Sequence, residues 1–259
     1  RYPYIFFNFA MHNTILMRFK LTLSYNGAFF CGWQIQPHSP SVQQTINDAL
    51  STLLKEPIYV VGAGRTDTGV NALNYIAHFD YAKPLDTGAL IYKLNAILPH
   101  SIAIHSIENT DENFHARFSA RKREYIYHIH REKDPFADQF SLQCSYPSLE
   151  FDAMNDAASL LTGTRDFSCF EKKGADNKTS ICTIYEAYWV KKDETHWEFH
   201  ITADRFLRNM VRAIVGTLLE VGRGKRTVGS VSELIEKGDR TIAGESVPGK
   251  ALFLSKIEY

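Results

Sequence analysis

Residues 61–70 read Val61-Gly62-Ala63-Gly64-Arg65-Thr66-Asp67-Thr68-Gly69-Val70. The β-favouring run Ile58 to Val61 leads into them, and such a run ending in Gly-Ala-Gly predicts a strand that delivers a turn. Gly69 lets the chain turn again, and Tyr75 to Asp80 predicts the next strand. Two strands therefore bracket a loop that carries one carboxylate, Asp67, and one guanidinium, Arg65, with little bulk around them. A guanidinium beside a carboxylate favours the ionised form, which suits a nucleophile or a base. The same letters also suit a structural turn with a surface ion pair, because Gly and Asp are common turn formers. The phosphate-loop reading fails: Gly62-x-Gly64 is only a fragment of the dinucleotide fingerprint, and Gly224-Lys225 lacks the earlier glycine of a P-loop.

Working outward, Phe19, Leu21, Leu23 and Tyr25 alternate with polar residues, which predicts a half-buried strand broken at Asn26-Gly27. Ser41 and Gln44 fit a capping box, and Val42, Ile46, Ala49, Leu50, Leu53 and Leu54 share one helical face ending before Pro57. A helix over 85–97 and a strand over 102–108 follow. Beyond residue 112 the pattern predicts a strand over 123–131 with Tyr125, Tyr127 and Ile129 on one face. Next comes a helix over 152–161, with Asp152 as N-cap and Gly163 as stop. Antiparallel strands over 185–190 and 197–202, helices over 206–221 and 231–237, and a final strand over 252–259 complete the series. Strand–helix–strand order occurs twice, so the fold class is α+β. Two sheet-plus-helix halves, residues 17–111 and 112–259, place helices on one side and a cleft between them.

The chain has 259 residues, 44% of them hydrophobic, with 29 basic and 29 acidic residues. A balanced charge cannot reveal a polyanionic partner, so the local distribution matters. Arg117, Arg121, Lys122, Arg123, Arg131 and Lys133 crowd one stretch against Glu124 and Glu132 alone. Arg205, Arg208 and Arg212 are spaced by three and four, which predicts one helical face. That stripe suits a phosphate backbone or, equally, a solvated basic face. Phe114-His115-Ala116-Arg117-Phe118-Ser119-Ala120, running on to Tyr125, interleaves bases with aromatics as a surface that stacks a nucleobase would. Cys31, Cys144, Cys169 and Cys182 lie far apart, which predicts reduced thiols in a cytosolic protein and no zinc site. His196 and His200 share the polar side of a strand, which we prefer to a metal pair. Residues 1–16 are apolar and aromatic but too short to span a bilayer, which needs about 20 apolar residues. They also lack a signal-peptide cleavage site, and we assign that N-terminal extension no role.

In their order, several motifs resemble the TruA family of pseudouridine synthases. They are Ser24-Tyr25-Asn26-Gly27 with Gly32-Trp33-Gln34, Ala63-Gly64-Arg65-Thr66-Asp67-x-Gly69-Val70, Phe114-His115-Ala116-Arg117-Phe118-Ser119-Ala120, Phe206-Leu207-x-Asn209-Met210-Val211-Arg212, and Leu252-x-Leu254. The resemblance implies the pseudouridine synthase fold, a mixed and mainly antiparallel sheet with a central cleft. It implies Asp67 as nucleophile, Arg65 flipping the target nucleotide or holding its place, Tyr125 stacking on the uracil, Arg212 paired with Asp67, and Leu252 packed beneath. Arg205, Arg208 and Arg123 are the expected substrate contacts. The resemblance further implies tRNA as partner, uridines 38, 39 and 40 of the anticodon arm as targets, a cytoplasmic homodimer, and neither metal nor cofactor. The family usually carries His at the position of Asn71 and Gln at that of Tyr75. Two other readings are a non-catalytic RNA-binding module and a glycosidase-like hydrolase. The latter needs a second acid, and between Gly62 and Ala77 there is only Asp67.

Overall fold

A computed structural model describes residues 16–172, 174 and 178–259, so all of the N-terminal extension except Leu16 lies outside the described residues. The alternating segment forms β1 (Met17–Tyr25), with Phe19, Leu21, Leu23 and Tyr25 buried as their period requires. Ser41 caps α1 (Val42–Leu54) by accepting the Gln44 amide at 3.3 Å. The reciprocal arm of the capping box is absent, because the Gln44 side chain donates instead to Asp48 one turn on, at 2.6 Å. Helix α1 buries Val42, Ile46, Ala49 and Leu50. Full burial of each large aliphatic contributes about 1.5–3 kcal/mol, so packing rather than propensity holds the helix.

The short β2 (Val61–Gly62) pairs with β3 (Asn71–Tyr81), the two strands that bracket the small-residue loop. Then follow α2 (Thr87–Ile97), β4 (Ile102–Thr110), β5 (Lys122–His130) and β6 (Leu142–Gln143). Helix α3 (Phe151–Ser159) begins one residue before the expected cap: Asp152 sits inside its first turn, where an acid suits the helix dipole. Gly163 opens β7 (Gly163–Asp166) at a φ of 106°, and β8 (Ile181–Lys191) and β9 (His196–Ala203) form an antiparallel pair.

The largest departure from expectation is α4, which spans Met210–Gly222 rather than 206–221. Asn209 takes a left-handed conformation, φ 68°, and breaks the helix there, so Arg205 and Arg208 precede it and no single helical face carries all three arginines. The strap 243–248 crosses α4 so closely that a Cβ on Gly216 would lie 1.8 Å from the Glu245 carbonyl oxygen, which makes glycine obligatory. Helix α5 (Ser230–Lys237) and β10 (Leu252–Glu258) complete the described elements.

One sheet runs through the molecule in the order β4-β1-β3-β10-β5-β9-β8-β7, and the fold is α+β as expected. Its pairings are antiparallel except β5 with β6 and β10 with β3. That parallel joint consists of two residue pairs, Phe253 with Asn71 and Leu254 with Ala72. On its other side β10 pairs with β5 from Leu252–Tyr127 to Glu258–Lys122. One apolar cluster sits under α1 and α2, another under α3, α4 and α5, and Tyr125 packs against both. Both helical layers therefore cover the same face of the sheet. Along β8 and β9 the opposite face is open and carries His200, Glu198 and Tyr188. Among the described residues no helix is long and apolar enough to cross a membrane.

Candidate active site

The β2–β3 loop and the start of α4 meet across the β3–β10 joint, and their meeting defines the site. Asp67 Oδ2 lies 3.4 Å from Arg212 Nη1, and Asp67 Oδ1 lies 4.0 Å from Arg208 Nε. A tight charge-assisted bond would measure about 2.7–2.9 Å. Neither arginine has closed on the carboxylate, so its oxygens stay available to a reacting atom. Two guanidiniums around one carboxylate leave the site net positive, which favours a polyanion. The Asp67 side chain is one-quarter exposed and Arg212 is similar, so the pair is screened from water yet reachable.

Arg212 is aimed by backbone. Its Nε donates to the Val247 carbonyl at 2.6 Å, and its own carbonyl accepts from the Val247 amide at 3.2 Å. The strap 243–248 thus fixes the direction of the guanidinium before any ligand arrives. On the neighbouring strand the Tyr125 ring meets Phe206 edge-on at 5.1 Å. Burial pushes the Tyr125 phenol up to about 12, so at neutral pH it is an uncharged ring suited to stacking. Leu252 is buried and pairs in register with Tyr127, whose hydroxyl donates to the Pro248 carbonyl.

The other expected residues are placed differently. Arg65 is exposed and makes no side-chain hydrogen bond or ion pair among the described residues. Arg205 is half-buried; the cations within 4.0 Å of Asp67 among the described residues are Arg208 and Arg212. Arg123 donates to three backbone carbonyls, those of Asp204 at 2.7 Å, Arg117 at 2.9 Å and Ala63 at 3.1 Å. Its geometry is that of a clasp joining the loop to the basic–aromatic segment. The same segment is tied down where the Ala116 amide donates to His78 Nδ1 at 3.1 Å and its carbonyl accepts from Tyr259. Phe118 projects from it, 76% exposed, with the His115 ring at 4.3 Å and the Arg117 guanidinium at 5.5 Å. Among the described residues no group of three or more His, Cys, Asp or Glu is placed to hold a metal.

Sequence reasoning missed the parts that hold the site. Asn71 accepts from the Gly27 amide at 2.8 Å and donates to the Lys250 carbonyl at 2.7 Å, tying the first turn to the approach to β10. Tyr25, Trp33 and Tyr75 pack beneath the loop. The signals for these were faint: Asn71 and Tyr75 stood out as departures from a pattern, but their partners lie far along the chain.

A family model described as tRNA pseudouridine synthase matches residues 157–259, the stretch that contains α4 and β10. The class is therefore that of pseudouridine synthases, isomerases of uridine. The chain is 48% identical over 246 residues to tRNA pseudouridine synthase A of Bacteroides thetaiotaomicron, covering 94% of this chain and 91% of the relative. It is 46% identical to the same-named protein of Porphyromonas gingivalis, covering 94% and 98%. The corresponding protein of Limosilactobacillus reuteri is 39% identical, covering 94% and 97%. The chain belongs to the tRNA pseudouridine synthase A family.

Proposed function

We propose that this isomerase acts on tRNA, converting uridine to pseudouridine at positions 38, 39 and/or 40 of the anticodon stem-loop, with Asp67 as nucleophile. The observation that carries the reading is the carboxylate of Asp67 facing Arg212 at 3.4 Å across a positively charged cleft. Isomerisation breaks the C1′–N1 bond and forms a C1′–C5 bond, while C5 loses a proton and N1 gains one. Asp67 starts this by attacking C1′ or C6, either of which needs an ionised carboxylate. Neither atom is reachable inside a stacked stem, so the nucleotide must be flipped. Tyr125 then offers a neutral ring to the uracil, Arg65 is free to occupy the vacated place, and Arg208 and Arg205 meet phosphates. Arg123 supports the same surface from behind. No step calls for a metal or cofactor, and a tRNA substrate puts the work in the cytoplasm.

The assay is tritium release from C5 of transcripts that carry a single uridine at 38, 39 or 40. Release from at least one is expected, and Asp67→Asn should abolish it while tRNA binding survives. Silence from all three transcripts in the unaltered protein would overturn the assignment.

The reading extends to a homodimer. On the open sheet face His128, Glu198, Phe140, Lys192 and Phe253 line a groove of about 360 Å³, and Phe136 beside it is 92% exposed. An apolar patch rimmed by charge favours a protein partner, and a second copy of this chain is the occupant we assign.

A further inference from the structure

Beneath the catalytic loop, buried aromatic side chains hold backbone. Tyr75, fully buried on β3, donates its hydroxyl to the Gly64 carbonyl and accepts from the Gly64 amide at 3.3 Å. One phenol thus satisfies both polar backbone groups of one glycine. A Cβ on Gly64 would meet nothing within 4 Å, so the loop is held at this point through its backbone alone. Trp33 stacks on the Tyr75 ring, centroids 4.1 Å apart. Gly62 lies against both, because a Cβ there would sit 2.3 Å from the Tyr75 oxygen and 2.5 Å from the indole.

Two residues past Gly64 the loop is pinned again. Tyr25 Oη lies 2.9 Å from Thr66 Oγ1, and the Trp33 amide donates to the Thr66 carbonyl at 3.4 Å. The Tyr25 and Tyr75 rings meet edge-on at 5.6 Å, so the two pins form one unit. None of the three side chains hydrogen-bonds Asp67. They fix the chain on which Asp67 stands.

We propose that Tyr75 is a positioning residue for the isomerisation, setting through Gly64 where Asp67 stands relative to Arg208 and Arg212. This rests on Asp67 being the catalytic carboxylate, as proposed above. The open 3.4 and 4.0 Å spacings leave the carboxylate available, and a small loop shift would close one pair or part both. Misplacement of a reacting group by about 1 Å can cost about 100-fold in rate. Burial holds the Tyr75 phenol protonated far above neutral pH, so its donor persists wherever the enzyme is assayed.

Two substitutions separate hydrogen bonding from packing. Tyr75→Phe keeps the ring against Trp33 and loses both bonds; Tyr75→Gln loses the ring and keeps a group that donates and accepts. The expected single-turnover tritium release falls about tenfold in Tyr75→Phe and is largely retained in Tyr75→Gln, with tRNA affinity within about twofold in both. Thermal stability should rank the other way, Phe above Gln. Amide exchange at Gly64 reports the loop without any substrate: slow in the unaltered and Gln proteins, fast in Phe. A Phe variant as fast as the unaltered protein, or slower only in proportion to lost tRNA affinity, overturns the proposal. So does a Gly64 amide equally protected in all three proteins. Asp67→Asn in parallel tells this failure from that of the parent reading: if it still turns over, the fault lies with Asp67 and not with Tyr75.

Discussion

Arg212 Nη1 stands 3.4 Å from Asp67 Oδ2 although 145 residues separate them, and its Nε is already committed to the Val247 carbonyl. One planar fork therefore bridges the strap to the carboxylate. A lysine has the charge but no second donor at a fixed angle, so it cannot hold both. Arg212→Lys should slow single-turnover tritium release about 10- to 100-fold, with tRNA affinity changed less than about threefold. An unchanged rate in a rapid-quench assay would mean that charge alone suffices.

Acid should weaken the fold through His78. Its Nδ1 accepts the Ala116 amide, so that nitrogen must be unprotonated in the native state. Burial, with Arg18 and His115 nearby, brings it down to about 4 from an ordinary 6.5. Above pH 6.5 both folded and unfolded chains carry it neutral, and its contribution is complete. Between 6.5 and about 4 the unfolded chain binds the proton and the native one does not, so stability falls with pH. The expected loss between pH 7 and pH 5 is about 2 kcal/mol, read as a lower urea midpoint. His78→Gln should flatten that slope; an equal slope would assign it elsewhere.

Phe118 is a large apolar ring left 76% exposed, with Arg117 and His115 beside it. Stacking of a base on such a ring contributes about 1–3 kcal/mol. Phe118→Ala should therefore raise KM for tRNA about tenfold and leave kcat within twofold, while Phe118→Trp keeps KM low. Steady-state kinetics on one transcript decide it, and an unmoved KM would clear Phe118 of any contact.

Phe136→Asp places a charge on the assigned dimer face, far from Asp67 in sequence and on the side of the sheet away from the helices. Sedimentation equilibrium should show a dimer for the unaltered chain and a folded monomer for the variant, its far-UV circular dichroism unchanged because Phe136 is 92% exposed in the single chain and packs nothing within it. A variant that sediments as the parent does would move the interface to another surface.

Much of this architecture is legible in local periodicity. β1, α1 and β5 follow from alternation and capping, and the Gly-Ala-Gly run before Asp67 announces a turn with a carboxylate on it. The stripe Arg205, Arg208, Arg212 misleads because the turn around Leu207 and Met210 continues the helical spacing, while the left-handed Asn209 that breaks it leaves no mark in hydrophobicity. Asp67 and Arg212 are each legible; their distance is not, since it depends on the strap and on a two-pair parallel joint. Tyr75 stands out in the sequence only as a departure from the family's usual Gln, and that its hydroxyl reaches Gly64 depends on how β3 passes beneath the loop.

That joint also has a timetable. β10 is the strand that joins β3 to β5 in the sheet, and it follows every other described element in the chain. A ribosome therefore finishes the Asp67 loop, the arginines and the strap before it makes the strand that aligns them. Both apolar clusters also wait for it, since Leu252 belongs to one and Leu254 to the other. Isomerising capacity must accordingly await β10, and chains stalled before Leu252 would carry Asp67, Arg208 and Arg212 and still be inert.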